Sequence, residues 1–214
     1  SNIKLDYYST LLQMYAEAGI PTYSDLIVGL PGETYETFVN GVNTLLKAGQ
    51  HSSLFIHILE WLPCSAMGNK EYMERFGLEY TVLPLNQPHR VKTEEDSVTE
   101  YSRIVTKTST MDHAEWIRMN MFSACVQCFH HLGLLEFVAL YCYYSRGIEY
   151  GEFYDSLLTY LDARPDTVAG SVSSKVSIEN CRPYFASIRQ LPPRYKTLPT
   201  CTSGMDPTTV TRSW

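Results

Sequence analysis

A glycine-rich stretch at residues 25–34, with the sequence DLIVGLPGET, combines groups suited to binding a small ligand. Gly29 and Gly32 allow a tight turn and a close approach of the backbone to a ligand. Pro31 fixes its own φ and removes one N–H donor. The stretch therefore reads as a strand, a turn and the start of a helix.

Two polar residues end this stretch and suggest its chemistry. Glu33 and Thr34 place a carboxylate and a capping hydroxyl where a helix presents unpaired N–H groups. A glycine-rich turn that opens a helix could hold a phosphate. The fixed carboxylate of Glu33 disfavours a second anion and suits a ribose hydroxyl better. A plain tight turn with a capping glutamate is the alternative.

A second group of residues that could bind a metal or take part in redox chemistry is Cys125-x-x-Cys128, followed by His130 and His131. Redox pairs of this spacing sit at helix starts, whereas this pair lies in the middle of an apolar helical pattern. A zinc site would need a second ligand pair, and the sequence offers none at a typical spacing. The pattern therefore predicts buried structural thiols and no metal.

His57 and Glu60 lie in and at the end of the second predicted strand, close to the expected pocket. Either side chain could meet a substrate, and a hydrogen-bonded wall residue is the alternative for His57. The aromatic run at residues 137–144 favours core or inter-domain packing over a cofactor site.

The elements that position the first stretch follow from hydrophobic spacing. Apolar residues recur at helical intervals over residues 5–15, and a second helix is predicted over residues 38–46. Strands are predicted at residues 23–28 and 53–61, which together give a parallel β-α-β crossover. The first strand does not alternate apolar and polar residues, so we expect both of its faces to be covered. The loops after both strands should face one pocket.

The rest of the chain changes character. Residues 69–96 read as a short helix and a connection, and residues 101–108 favour a strand. Asp112 and Glu115 have the spacing of a capping box before a helix that Gly133 breaks. Two more helices are predicted over residues 134–144 and 150–161. The fold class is α/β, with predicted segments at residues 1–68 (α/β part), 69–108 (connection), 109–190 (helical domain) and 191–214 (disordered tail).

Composition limits the function classes. The 214 residues are 44% hydrophobic and carry a formal charge of −6, with no basic run, which argues against a nucleic-acid partner. The longest apolar stretch is too short to span a bilayer, and no signal peptide is recognisable. Six scattered cysteines fit reduced thiols in a cytoplasm. These features predict a soluble cytoplasmic chain without a membrane partner.

Residues 26–34 resemble the GLPGET-type segment of radical S-adenosylmethionine (SAM) enzymes, and most closely those with a cobalamin-binding domain. The flanks at residues 19–22, 38–42 and 59–63 are similar as well, and residues 112–135 resemble the helical C-terminal extension of such proteins. The resemblance implies a six-stranded partial (β/α) barrel, of which residues 1–68 would be the last third. A mostly α-helical C-terminal domain would follow.

The resemblance also implies a set of SAM-binding residues. In the family this strand and loop contact the adenosine of SAM, and the next strand shapes the adenine-facing wall. The implied cofactor-binding residues here are Ile27, Gly29, Pro31, Gly32, Glu33, Trp61 and Pro63. Asp25 stands where the family pattern has a glycine, and Pro31 moves the carboxylate one place later.

One family feature is absent from the sequence. The six cysteines do not contain the CxxxCxxC spacing that holds the four-iron four-sulfur cluster. We therefore expect a C-terminal fragment of a larger enzyme, whose missing N-terminal part supplies the cluster and binds cobalamin. The expected parent reaction is methyl transfer or related radical chemistry on an unknown substrate. A non-catalytic binding or interaction module is the alternative.

Overall fold

The computed structural model describes residues 5–51, 53–84 and 101–175. Within these residues the chain is a mixed α/β structure with two small sheets. The helices are α1 (Leu5–Glu17), α2 (Tyr35–Lys47), α3 (Lys70–Phe76), α4 (His113–Val126), α5 (Glu136–Arg146), α6 (Tyr150–Asp162) and α7 (Val168–Lys175). The strands are β1 (Ser24–Val28), β2 (Leu54–Ile58), β3 (Glu79–Pro84) and β4 (Tyr101–Lys107).

Strands β1 and β2 form a parallel pair, in register from Ser24 opposite Leu54 to Val28 opposite Ile58. Helix α2 connects them, so the predicted β-α-β crossover is confirmed. The side chains of Val28 and Leu54 on one face are buried in the main core. The other face is open, and Ile27 keeps 40% of its surface exposed. The expectation that both faces of β1 are covered is wrong for the part of the chain that the structure describes, because the helices of the main core pack on the face of Val28 and Leu54.

Helix α2 begins where the sequence predicts. Thr34 is its N-cap and forms a capping box with Thr37, in which each side chain accepts a hydrogen bond from the other residue's backbone N–H. Its buried face includes Phe38, Val42 and Leu46. These side chains pack the helix against the sheet, which fixes the loop between β1 and α2.

Strands β3 and β4 form an antiparallel hairpin, with Tyr80 opposite Val105. The predicted strand at residues 101–108 and the short helix before it are confirmed. Strand β3 falls in a segment predicted as connection, because its pairing partner lies far along the chain and Pro84 masks the strand pattern. The hairpin continues from β2, since the N–H of Trp61 donates to the carbonyl of Arg103. Residues 85–100, which belong to the predicted connection, lie outside the described residues.

Helix α4 has the predicted capping box between Asp112 and Glu115. It continues as a π-helical turn over Gln127–His131, and Gly133 follows with a φ of +78°. Helices α5 and α6 confirm the other two predicted helices, and α7 is an addition. The predicted tail lies beyond the described residues.

One main core joins the β1–β2 sheet to helices α2, α4, α5 and α6. Its most buried members are Val28, Val42, Leu46, Leu54, Met111, Met119, Phe122, Val126, Ala139, Tyr150 and Tyr154. The α/β segment and the helical segment therefore share buried residues, and the predicted boundaries between them remain predictions. A second, smaller core under the hairpin contains Leu59, Leu78 and Val105.

Helix α5 buries Ala139 but turns several large apolar side chains outward. Phe137 is 78% exposed and Tyr144 is 76% exposed, and Tyr141 is also exposed. The prediction of core packing is therefore wrong for these three aromatic residues, and the alternative of inter-domain packing stays a prediction.

No single helix in the described part of the chain has the length and apolar character needed to cross a membrane. By length and composition alone, the helices His113–His131 and Glu136–Arg146 could together form a broken membrane span, with a bend of 92° at the break between them.

Candidate functional site

The loop between β1 and α2 is a tight turn built on two glycines. Gly29 and Gly32 have φ values of +89° and +90°, which lie in a region that residues with a Cβ rarely adopt. The N–H of Glu33 donates to the carbonyl oxygen of Leu30 at 3.0 Å, which closes the turn. The loop lies at the carboxyl end of a parallel strand, where α/β proteins commonly bind ligands.

The carboxylate of Glu33 holds this turn from inside. Its Oε2 atom accepts a hydrogen bond from the N–H of Gly29 at 3.0 Å. Burial raises the pKa of the Glu33 carboxyl above its usual value, and hydrogen bonds from the N–H groups of Gly29 and Leu30 partly offset this rise. Glu33 therefore stabilises the turn, whereas the cap of α2 is Thr34 and not the glutamate. A ligand contact would have to use the remaining acceptor capacity of Glu33.

The same loop is tied to the start of α4. The hydroxyl of Thr110 donates to the backbone carbonyl oxygen of Glu33 at 2.8 Å. A Cβ placed on Gly29 would lie 3.2 Å from Cε of Met111, which is 1% exposed. Sequence reasoning missed Thr110 and Met111 because they lie far along the chain, and no local pattern marks them as contacts of the loop.

An open pocket of about 240 Å³ lies beside β1. Its lining residues are Asp25, Leu26, Ile27, Leu30, Glu33, Phe38 and Gly41. The pocket thus brings together two predicted site residues, Ile27 and Glu33. It also adds Asp25 and Leu30, so two carboxylates border an otherwise mostly apolar surface.

His57 lies on the open face of the sheet, next to β1. Its Nε2 atom is 3.2 Å from Oδ1 of Asp25, and both side chains are largely exposed. This agrees with a hydrogen-bonded histidine on the wall of the sheet. The pair also places a polar group between the exposed side chains of Ile27 and Phe55.

Trp61 belongs to a different group of side chains, under the hairpin. Its indole N–H donates to the carbonyl oxygen of Met67 at 3.0 Å. Its ring stacks on Tyr80 with centroids 5.1 Å apart, and the Arg103 guanidinium lies 4.7 Å from the Trp61 ring centroid. Pro63 is part of the same loop, and its carbonyl oxygen would be 1.9 Å from a Cβ on Gly68. The loop at residues 61–68 therefore packs on the hairpin.

Two curated proteins are similar to this chain. TokK, a cobalamin-dependent radical SAM methyltransferase from Streptomyces tokunonensis, is 36% identical over 171 residues, which are 80% of this chain and 25% of the relative. The chain is homologous to part of the cobalamin-dependent radical SAM methyltransferases. A 2-(S-pantetheinyl)-carbapenam-3-carboxylate methyltransferase from Streptantibioticus cattleyicolor is 35% identical over 175 residues, again 80% of this chain and 25% of the relative. No protein-family profile matches the chain.

This homology confirms the resemblance to cobalamin-type radical SAM proteins that the GLPGET-type segment indicates. The chain spans about a quarter of the length of the curated relatives that it matches. The described structure is the α/β arrangement expected from the sequence.

Within this radical SAM homologue, a polar network surrounds the buried side chain of His130, next to the start of β2. His130 is 1% exposed, and its Nε2 and Nδ1 atoms contact Nδ1 of His51 at 3.1 Å and the hydroxyl of Tyr154 at 2.7 Å. Burial, together with His51 and His131, lowers the pKa of His130 to about 4. Nδ1 of His131 accepts the N–H of Ser53 at 2.9 Å. His130 and His131 therefore join the π-helical turn to the segment before β2.

The cysteine pair beside this network divides into two environments. Cys125 is buried, and burial raises the pKa of its thiol to about 12, whereas Cys128 is exposed. The prediction of buried thiols is confirmed for Cys125 and wrong for Cys128, because the helix turns the second side chain outward. Across the described ranges, no group of three or more His, Cys, Asp and Glu side chains is placed to hold a metal ion.

Proposed function

We propose that this chain is the C-terminal part of a cobalamin-dependent radical SAM methyltransferase, with the end of its partial (β/α) barrel and a helical domain. The homology over 80% of the chain is the observation that carries this proposal. The parallel β1–β2 pair, with helices on one face and an open second face, is compatible with two neighbouring strands of such a barrel.

We further propose that the pocket beside β1 holds the adenosine side of SAM. The carboxylates of Asp25 and Glu33 can accept hydrogen bonds from hydroxyl and amino groups, and the side chains of Ile27 and Leu30 offer apolar surface to a base. These acceptors and the apolar surface beside them fit a neutral nucleoside better than a phosphate. SAM, when bound, would supply the methyl group and the radical chemistry.

The residues of the loop have separate roles in this proposal. Gly29 and Gly32 let the backbone approach the ligand, and Pro31 fixes the turn between them. Glu33 holds the turn and presents its remaining acceptor capacity to the ligand. Ile27, on the open face, would contact the base. Trp61 and Pro63 stay in the proposed set as residues of the next loop along the same edge.

The cysteines of this chain do not fit the four-iron four-sulfur cluster, since their order in the sequence has no CxxxCxxC spacing. The cluster and the cobalamin are therefore proposed for the remainder of the parent enzyme, which would be the partner of this chain. The second relative is named for methylation of a carbapenam-3-carboxylate. We propose a small molecule that carries a carboxylate as the substrate class of the parent.

The test is SAM binding to the complete enzyme that contains this chain, after anaerobic reconstitution of the cluster. Glu33→Ala should weaken SAM binding about tenfold or more, because a hydrogen bond to a charged group is lost and the turn loosens. Glu36→Ala is the matched control, since Glu36 is exposed in the first turn of α2. Equal SAM affinity in all three proteins would contradict the proposed contact. A complete gene that lacks the CxxxCxxC loop would contradict the proposed enzyme and favour an interaction module.

A further inference from the structure

Arg103 occupies a special position at the end of the first sheet. It lies in β4, and its carbonyl accepts the N–H of Trp61 at 2.6 Å, so it sits next to the chain that leaves the carboxyl end of β2. Its guanidinium is 4.7 Å from the ring centroid of Trp61 and 5.5 Å from that of Tyr80. The two rings stack at 5.1 Å with an angle of 22°. Arg103 is thus held by two aromatic rings beside the edge where α/β proteins bind ligands.

Among residues 5–51, 53–84 and 101–175, no carboxylate pairs with the charge of Arg103. Other cations that link elements have carboxylate partners: Lys47 pairs with Glu149, Lys107 with Glu79 and Arg118 with Asp155. In the described ranges Arg103 contacts rings and has no carboxylate within ion-pair distance. This is notable in a chain with 23 acidic and 17 basic residues.

The geometry of the guanidinium determines what it can bind. The central carbon of the guanidinium lies over the rings of Trp61 and Tyr80, and a guanidinium carries five N–H donors in its own plane that can bind a ligand. A half-buried guanidinium fixed in this way needs little ordering to donate two parallel hydrogen bonds to a carboxylate. Trp61 and Tyr80 would then orient the cation.

We propose that Arg103 is a binding residue for the carboxylate of a small-molecule ligand. The proposal rests on the proposed function for its choice of a carboxylate substrate. It assigns Trp61 a second role, as the platform for Arg103, beyond its place in the loop that follows β2. Inorganic phosphate, the other common partner of arginine, is treated as an outcome of the test.

The experiment uses the full 214-residue chain labelled with ¹⁵N. The arginine Nε–H signals are followed during titration with N-acetylproline, a small cyclic carboxylate, and with its neutral amide. Arg75 and Arg164 are internal controls, because each lies over an aromatic ring, at 5.1 Å and 4.6 Å, but is exposed. The Arg103 signal should respond to the acid at concentrations at least about tenfold lower than the control signals, and should not respond to the amide.

Variants separate the charge from the geometry. Arg103→Lys keeps the charge but loses the bidentate fork, so the affinity should fall severalfold. Because these variants lack the Arg103 signal, binding to them and to the wild type is read from the indole N–H signal of Trp61, whose ring lies 4.7 Å from the guanidinium. Arg103→Gln should abolish this response, and Arg75→Gln should leave it unchanged; the dispersion of the amide spectrum checks that each variant is folded. The proposal is overturned if all arginine signals respond alike, if the amide is as effective as the acid, or if phosphate binds more tightly than the carboxylate. No SAM is present in this titration, so its failure is distinct from a failure of SAM binding.

Discussion

The hydroxyl of Thr110 donates a hydrogen bond to the backbone carbonyl of Glu33 at 2.8 Å, and this contact joins the glycine-rich loop to the start of α4. The loop is therefore not a free turn at the end of a strand. Its conformation depends on the segment that leads into α4. Thr110 in this segment bonds to the loop, and Met111 packs against Gly29. Changes in either half of the chain should alter the proposed SAM contact.

The two glycines of the loop should differ in their response to substitution. Gly29→Ala meets both a φ of +89° and Met111 at 3.2 Å, whereas Gly32→Ala meets a φ of +90° and open space. The backbone strain should cost about 1–3 kcal/mol at either site. Crowding of a buried methionine should add about 1 kcal/mol at Gly29. Free energies of unfolding from urea titration measure both variants, and equal losses would show that Met111 moves aside without cost.

The stability of the chain should also report the environment of Glu33. Because the pKa of Glu33 is raised in the folded chain, the folded state holds its proton more tightly than the unfolded state does. The stabilisation is full below the ordinary glutamate pKa of 4.5 and is lost as the pH rises through the higher folded value. Glu33→Gln keeps an acceptor for Gly29 but does not ionise. Relative to the wild type, its free energy of unfolding should therefore increase with pH above 4.5, and a pH-independent difference would contradict the burial of this carboxyl.

Much of the first half of the fold is predictable because its signals are local. Hydrophobic spacing, the Thr34 cap and the Gly-Pro-Gly turn mark the β-α-β unit without any distant contact. Strand β3 was not predicted because it depends on pairing with β4 across a long separation. The open face of β1 was not predicted either, since an apolar run gives no sign of how many layers cover it.

The candidate site shows the same division between local and distant information. The sequence identifies the loop, and the structure adds the carboxylate of Asp25 and the contacts of Thr110 and Met111. The association of Trp61 with Arg103 was not foreseeable, because these residues are brought together by backbone pairing between distant segments.

The cysteines should react with alkylating reagents at very different rates. Cys128 is exposed, while Cys125 is buried and its thiol has a pKa raised to about 12, so almost none of it is the reactive thiolate at pH 7.5. Iodoacetamide should modify Cys128 at least about a hundredfold faster in the folded chain. Mass spectrometry of peptic fragments over time measures both sites. The exposed Cys64 is the internal reference, and the difference between sites should vanish in denaturant.

The buried histidine network should make the fold sensitive to mild acid. The pKa of His130 is about 4 in the folded chain against an ordinary value of 6.5, so the unfolded chain takes up a proton first as the pH falls. Stability is therefore full above pH 6.5 and is lost as the pH falls toward 4. The difference in pKa corresponds to at most roughly 3 kcal/mol, since 1.36 kcal/mol accompanies each pKa unit.

A substitution separates this titration from general acid sensitivity. His130→Gln leaves a polar partner for His51 and the Tyr154 hydroxyl but cannot ionise, so the variant should be less stable than the wild type at pH 7.5 and lose less stability between pH 6.5 and pH 4.5. His57→Gln is the matched control, because it replaces an exposed histidine on the open face of the sheet and leaves His130 in place, so the acid sensitivity that His130 causes should remain. Urea unfolding at a series of pH values measures all three proteins. Parallel profiles for His130→Gln and the wild type would mean that His130 does not carry the acid sensitivity, and that the polar network tolerates a charged imidazole.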